Sequence, residues 1–154
     1  MNKEECYKLL VEQVRALTEG EDDAVSVMAN VSAAIHHAMG FWWTGFYVER
    51  DGVLRLGPFQ GPVACTRIAR GRGVCGTALE RGRTIVVPDV ELFPGHIACS
   101  SESRSEIVVP LLDTHGVPRA VLDIDSRELN TFDNTDQSYL EQIAQIVAPV
   151  ICQS

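Results

Sequence analysis

Trp42-Trp43-Thr44-Gly45-Phe46-Tyr47-Val48-Glu49-Arg50-Asp51-Gly52-Val53-Leu54-Arg55-Leu56 is aromatic and β-branched on both sides of one Asp-Gly pair. That pattern predicts two strands joined by a tight hairpin turn at Asp51-Gly52, the second running from Val53 to Phe59. Because strand side chains alternate, Trp43, Gly45 and Tyr47 share one face while Thr44, Phe46 and Val48 share the other. One face of this hairpin is therefore aromatic, with a small gap at Gly45.

Upstream, Cys6, Leu10, Val14 and Leu17 recur at helical spacing and predict a helix near 3 to 18 with a glycine stop at Gly20. Val27, Val31, Ala34, Ile35 and Ala38 predict a second helix, started at Asp22 or Asp23 and stopped at Gly40. Downstream, Gly61-Pro62 ends the second strand, and Cys65 to Ile68 reads as a short third one. Gly71 and Gly73 lead into a short helix from Val74 to Glu80, closed by Gly82, and Thr84 to Val87 reads as a buried strand. Two more strands, Glu106 to Leu112 and Arg119 to Asp125, meet at His115-Gly116. The last helix opens at Asp133 with Asp136 completing a capping-box-like pair, and it carries Leu140, Ile143, Val147 and Val150 toward the sheet. Pro149 is expected to distort its final turn, since it cannot donate to the helical ladder. Helices at both ends of a run of hairpin strands predict an α+β fold. Its central, mainly antiparallel sheet carries the N- and C-terminal helices on one face and pocket-forming loops on the other.

The 154 residues fit a single domain spanning the whole chain. With 45% hydrophobic and 22% charged residues, neither disorder nor a membrane span is favoured. The first residues show no apolar segment of secretory type, so the expected compartment is cytoplasmic. A formal charge of -8 leaves no basic footprint for nucleic acid. Five cysteines are too few for a disulfide scaffold of this length. Cys6 and Cys152 sit in helical patterns and read as packing residues, whereas Cys65, Cys75 and Cys99 adjoin turn signals.

The segment Pro88 to Pro110 begins without helical or strand periodicity and carries Phe93, His96, Ile97 and Cys99. A loop this long in a small domain is usually functional or disordered, and its apolar residues argue for a packed loop presenting Cys99 and His96. On the strand Ala120 to Asp125, Val121, Asp123 and Asp125 share one face. They either run out into solvent or join Glu106, if the ends of the two strands align. Three acids in one pocket cannot all ionise cheaply, so one would keep a proton near neutrality, and the remaining charge would suit an ammonium group. Trp43 and Tyr47 read either as core or as an aromatic wall suited to a sulfur or methyl group. Zinc on Cys65, Cys75, Cys99 and His96 lacks the closely spaced ligand pairs such sites use, so no metal is expected. Gly71-Arg72-Gly73-Val74-Cys75-Gly76 lacks the lysine and hydroxyl of a phosphate loop. What remains is thiol chemistry, with attacking and resolving cysteines. The helix starting near Gly73 is expected to lower the pKa of Cys75, and loop amides with His96 to activate Cys99. Both stand as attackers at this point.

Five segments in order resemble the free methionine-(R)-sulfoxide reductases, a family built on the GAF-domain fold. They are Gly61-Pro62-Val63-Ala64-Cys65-Thr66-Arg67-Ile68, Gly71 to Ala78 around Cys75, Phe93 to Cys99, Ser105 to Pro110 around Glu106, and Val121-Leu122-Asp123-Ile124-Asp125-Ser126. The resemblance implies reduction of free L-methionine (R)-sulfoxide as antioxidant repair, without a cofactor. By it, Cys99 is the nucleophile that becomes a sulfenic acid, and Cys65 closes a disulfide that thioredoxin reduces. Cys75 matches the family's third cysteine, as alternate resolver or attacker. Glu106 matches the acid that protonates the sulfoxide oxygen, and Asp123 and Asp125 match residues that hold the substrate. Trp43 and Tyr47 fall where the family walls the S-methyl group. One departure is Ser100, which follows the loop cysteine where many relatives carry Asp. By analogy with GAF domains, a homodimer through terminal helices is expected.

Overall fold

A computed structural model describes residues 1–97, 99 and 101–153, so Ser100 lies outside the described residues. Two helices come first, α1 (Lys3–Thr18) and α2 (Ala24–Met39). Each starts where a side chain accepts an otherwise orphaned backbone N–H: Asn2 from Glu5, and Asp23 from Ser26. Gly40 ends α2 in the left-handed conformation at φ 70°. The hairpin follows as β1 (Trp43–Arg50) and β2 (Val53–Gln60), turning at Asp51-Gly52. Then come β3 (Arg67–Ala69), α3 (Gly73–Arg81), β4 (Ile85–Val87), a single 3-10 turn (Val90–Leu92), β5 (Ser105–Leu112), β6 (Pro118–Ser126) and α4 (Asn134–Ile151).

The six strands form one sheet in the order β3-β2-β1-β6-β5-β4, every neighbouring pair antiparallel. The alternation of β1 separates two cores. Phe46 enters the core under the helices with Leu10, Val14, Ile35, Leu122 and Leu140, all at most 1% exposed. Trp43 and Tyr47 enter the opposite core with Leu54, Val108 and Val121. Burying each large apolar side chain contributes about 1.5–3 kcal/mol, so the alternation fixes strand register strongly. On the helical face α2 lies on β1 and β2, α4 lies on β5, and α1 packs against both helices.

Several sequence expectations are corrected. The third strand starts at Arg67, leaving Cys65 in the segment before it. In β4 only Val87 is buried, because the strand sits at the sheet edge. The second face is closed by α3 as well as by loops, since α3 packs on β5 and β6. α4 runs through Pro149 to Ile151: the proline removes one donor, yet the next turn still closes, with the Cys152 N–H donating to the Ala148 carbonyl at 2.7 Å. Cys152 joins the helical core, whereas Cys6 is only half-buried. The gap at Gly45 is filled from the paired strand: Phe59 lies opposite Gly45 and stacks on Trp43 with ring centroids 5.1 Å apart.

Candidate active site

Register builds the floor of the site. Trp43 pairs with Asp125 across β1 and β6, and Asp125 pairs with Glu106 across β6 and β5. One row further in, Gly45 pairs with Asp123, and Asp123 with Val108. The ends of the two strands therefore align, and Glu106, Asp123 and Asp125 line one cleft together. Glu106 and Asp123 are buried at 6% and 5% exposure, and Asp125 is half-buried. Ser103 donates its hydroxyl to Asp125 Oδ1 at 3.1 Å. Asp123 Oδ1 is buried without a hydrogen-bond partner among the described residues.

Desolvation and mutual repulsion place the protons. Burial first, then the charges of Asp123 and Asp125, push Glu106 well above the ordinary carboxyl range. Burial and then Asp123 do the same to Asp125. Burial raises Asp123 too, but hydrogen bonds with Glu106, Cys75 and Asp125, and the attraction of His96, favour its ionised form. Asp123 is pushed up least of the three, so the negative charge of the floor favours Asp123 while Glu106 and Asp125 retain protons more readily.

The wall is aromatic. Trp43 and Tyr47 are 3% and 2% exposed, with ring centroids 6.1 Å apart. Their polar ends are spent on the backbone of the segment before β3: the Trp43 indole N–H donates to the Pro62 carbonyl at 2.9 Å, and the Tyr47 hydroxyl donates to the Cys65 carbonyl at 2.8 Å. The wall thus fixes the position of Cys65 while both rings line the cleft.

The roof carries the thiols. Cys65 and Cys99 form a disulfide with their Cα atoms 5.3 Å apart, well inside the range a disulfide needs. It ties the long loop to the segment before β3. Ile97 lies on Gly73, which opens α3 at φ +62°, and a Cβ there would stand 3.2 Å from the Ile97 side chain. His96 is half-buried on the same cleft; burial pulls its imidazole down against the upward pull of Asp123. Cys75 overturns an expectation. It sits in the first turn of α3, but burial and the nearby Asp123, Glu106 and Asp125 drive its thiol well up, overwhelming any helix-terminus effect. Its sulfur is 4.0 Å from Glu106 Oε2.

All eight residues singled out from the sequence thus belong to one region: Cys75, Cys99, Glu106, Trp43, Tyr47, Asp123 and Asp125 line the cleft, and Cys65 is bonded to Cys99. Ser103 was missed, since a loop serine carries no periodic signal. Phe59 was missed as well, because its role depends on the register shift that the hairpin makes between Gly45 and Tyr47.

The GAF domain family model matches residues 2–151. The free methionine-R-sulfoxide reductase of Escherichia coli is 43% identical over 152 residues, covering 98% of this chain and 92% of that protein. The free methionine-R-sulfoxide reductase of Saccharomyces cerevisiae is 42% identical over 155 residues, covering 96% and 86%. The X-ray structure of free methionine-R-sulfoxide reductase from Neisseria meningitidis in complex with its substrate superposes with a TM-score of 0.95 at 46% identity, covering 98% of this chain and 91% of that one. With near-complete coverage on both sides and a cysteine pair joined above an acid-floored cleft, the chain belongs to the GAF-domain family and, within it, to the free methionine-R-sulfoxide reductases.

Proposed function

We propose that this protein reduces free L-methionine (R)-sulfoxide to methionine, and that the Cys65–Cys99 disulfide is the oxidised product of its catalytic cycle. That disulfide, seated over the cleft, is the observation that carries the reading. Cys99 attacks the sulfoxide sulfur as a thiolate while Glu106 delivers its proton to the sulfoxide oxygen. Methionine leaves and Cys99 becomes a sulfenic acid. Cys65 then displaces water from that sulfur and closes the disulfide, so two thiols are oxidised for each sulfoxide reduced. An external dithiol, thioredoxin, reopens it without any bound cofactor.

The cleft supplies selectivity. Asp123, with its unpartnered oxygen, and Asp125 suit the substrate ammonium, which a methionine inside a peptide lacks. Trp43 and Tyr47 offer faces to the S-methyl group. Cys75 is not the attacker in this reading, because its buried position among acids disfavours a thiolate. A homodimer through the terminal helices and a cytoplasmic location belong to the same reading. Leu9 on α1 and Val25 on α2, each 61% exposed, give the helices apolar surface for it, and no helix among the described residues is long and apolar enough to cross a membrane.

The test is reductant-dependent methionine release from the free R epimer, the free S epimer and a sulfoxide-containing peptide. Release from the free R epimer alone is expected. Release from none of the three would sink the reading.

A further inference from the structure

The buried thiol of Cys75 takes no part in the steps above, although it faces their acids. Its sulfur and one carboxylate oxygen each from Glu106 and Asp123 lie within 4.8 Å of one another. The three residues are 4%, 6% and 5% exposed, and Asp123 Oδ1 stands there without a partner. We propose that Cys75, Glu106 and Asp123 form a binding site for a thiophilic divalent cation of the Zn²⁺ and Co²⁺ class, and that this ion competes with the substrate ammonium for Asp123.

Distance, chemistry and rigidity support the site. Zinc holds sulfur at about 2.3 Å and carboxylate oxygen at about 2.0–2.2 Å, so two such ligands at the tetrahedral angle stand roughly 3.4–3.6 Å apart. The Cys75 sulfur and Glu106 Oε2 stand 4.0 Å apart and all three donors lie within 4.8 Å of one another, so closing on an ion needs rotamer shifts of at most about 1 Å. One sulfur among oxygen donors selects zinc or cobalt over magnesium or calcium, which take oxygen alone. The donors come from α3, β5 and β6, three packed elements rather than one mobile loop. On binding, metal–sulfur and metal–oxygen bonds form and the Cys75 proton leaves to solvent; nothing is oxidised or reduced. Three protein ligands leave a fourth position for water.

The disulfide leaves this site intact. Cys65 and Cys99 are bonded to each other and offer no thiolate, so Cys75 is the sulfur ligand in the oxidised protein. The ion is an inhibitor rather than a cofactor, because no step of the reduction needs it. Its competition with substrate rests on the function proposed above, whereas the metal site itself rests on geometry.

The experiment titrates Co²⁺ into the oxidised full chain and follows the thiolate-to-cobalt charge-transfer absorption, then adds free methionine (R)-sulfoxide. One equivalent of cobalt should develop the band. Cys75→Ser should abolish it, and Asp123→Asn, a variant that leaves the thiol in place, should weaken cobalt binding at least about tenfold. No band in the unaltered protein would overturn the site, as would a band of equal strength in Cys75→Ser, which would then arise from Cys6 or Cys152. Saturating sulfoxide should displace the ion. A Cys75-dependent band that sulfoxide leaves unchanged would overturn the shared use of Asp123, and methionine release measured separately would show whether the reductase reading survives.

Discussion

Cys99 and Cys65 are bonded to each other but differ in setting: Cys99 is exposed on the loop, while Cys65 is half-buried with its carbonyl held by Tyr47. That difference divides their roles. Cys99→Ser should abolish methionine release altogether. Cys65→Ser should give one methionine per chain in a single turnover and then stop under thioredoxin, because no disulfide can form. Full activity in Cys99→Ser would remove the nucleophile assignment, and quenched-flow methionine release distinguishes the two variants. In the proposed reduction Glu106 works through its proton, so the acid form is the working form. Its raised pKa extends that form toward neutrality, and the rate should fall as pH rises through it. Glu106→Gln keeps the shape but cannot deliver the proton. Its release rate should fall by about 10²–10⁴-fold and lose this dependence on pH. Unchanged kinetics over pH would count against proton donation.

At the scale of elements, much was legible because periodicity and caps are local. The spacing of Cys6, Leu10, Val14 and Leu17, the Asp51-Gly52 turn and the Asp133 to Asp136 capping box each act within a few residues, and each element stands where those signals put it. The two faces of β1 and β6 are legible for the same reason, since alternation needs no tertiary information. Tertiary context was not legible. A cysteine in the first turn of a helix reads as activated until β5 and β6 bring three acids and burial to it. The ties between distant elements were equally invisible. Tyr7 on α1 donates its hydroxyl to Asp136 Oδ1 at 2.6 Å, and Lys3 meets Asp136 Oδ2 at 2.7 Å, with Asp136 fully buried. The same Asp136 Oδ2 accepts the Asp133 N–H that starts α4, so this cluster joins the first helix to the last through a capping residue. Tyr7→Phe removes one bond to a buried charge and should cost about 1.5–3 kcal/mol of unfolding free energy in urea. A loss below about 0.5 kcal/mol would mean that Lys3 and the Asp133 amide already satisfy Asp136.

Across the whole molecule the two faces of the sheet are closed differently, and this difference bears on how substrate enters. The helical face is sealed by α1, α2 and α4 over a continuous core. The other face is sealed by α3 and by the loop between β4 and β5, whose base is well anchored. Val90 is 3% exposed and donates to the Arg104 carbonyl at 2.9 Å, Arg104 donates to the Ser126 carbonyl at 2.8 Å, and Asn130 donates to the Pro88 carbonyl at 2.9 Å. Toward the tip the support thins. Leu92 is 79% exposed, and among the described residues Phe93 and Ile97 pack on the core of this face while Cys99 is bonded to Cys65. Reduction breaks the covalent tie and leaves the packing of Phe93 and Ile97, so the free-energy cost of local opening should drop there while the base and the sheet stay protected. Amide exchange in the peptide carrying Cys99 should therefore speed up on reduction, with β5, β6 and α4 unchanged, and added methionine should slow it again by filling the cleft beneath. Equal exchange in both redox states would show that apolar packing holds the tip without the disulfide, and substrate would then have to reach the acids without opening the roof.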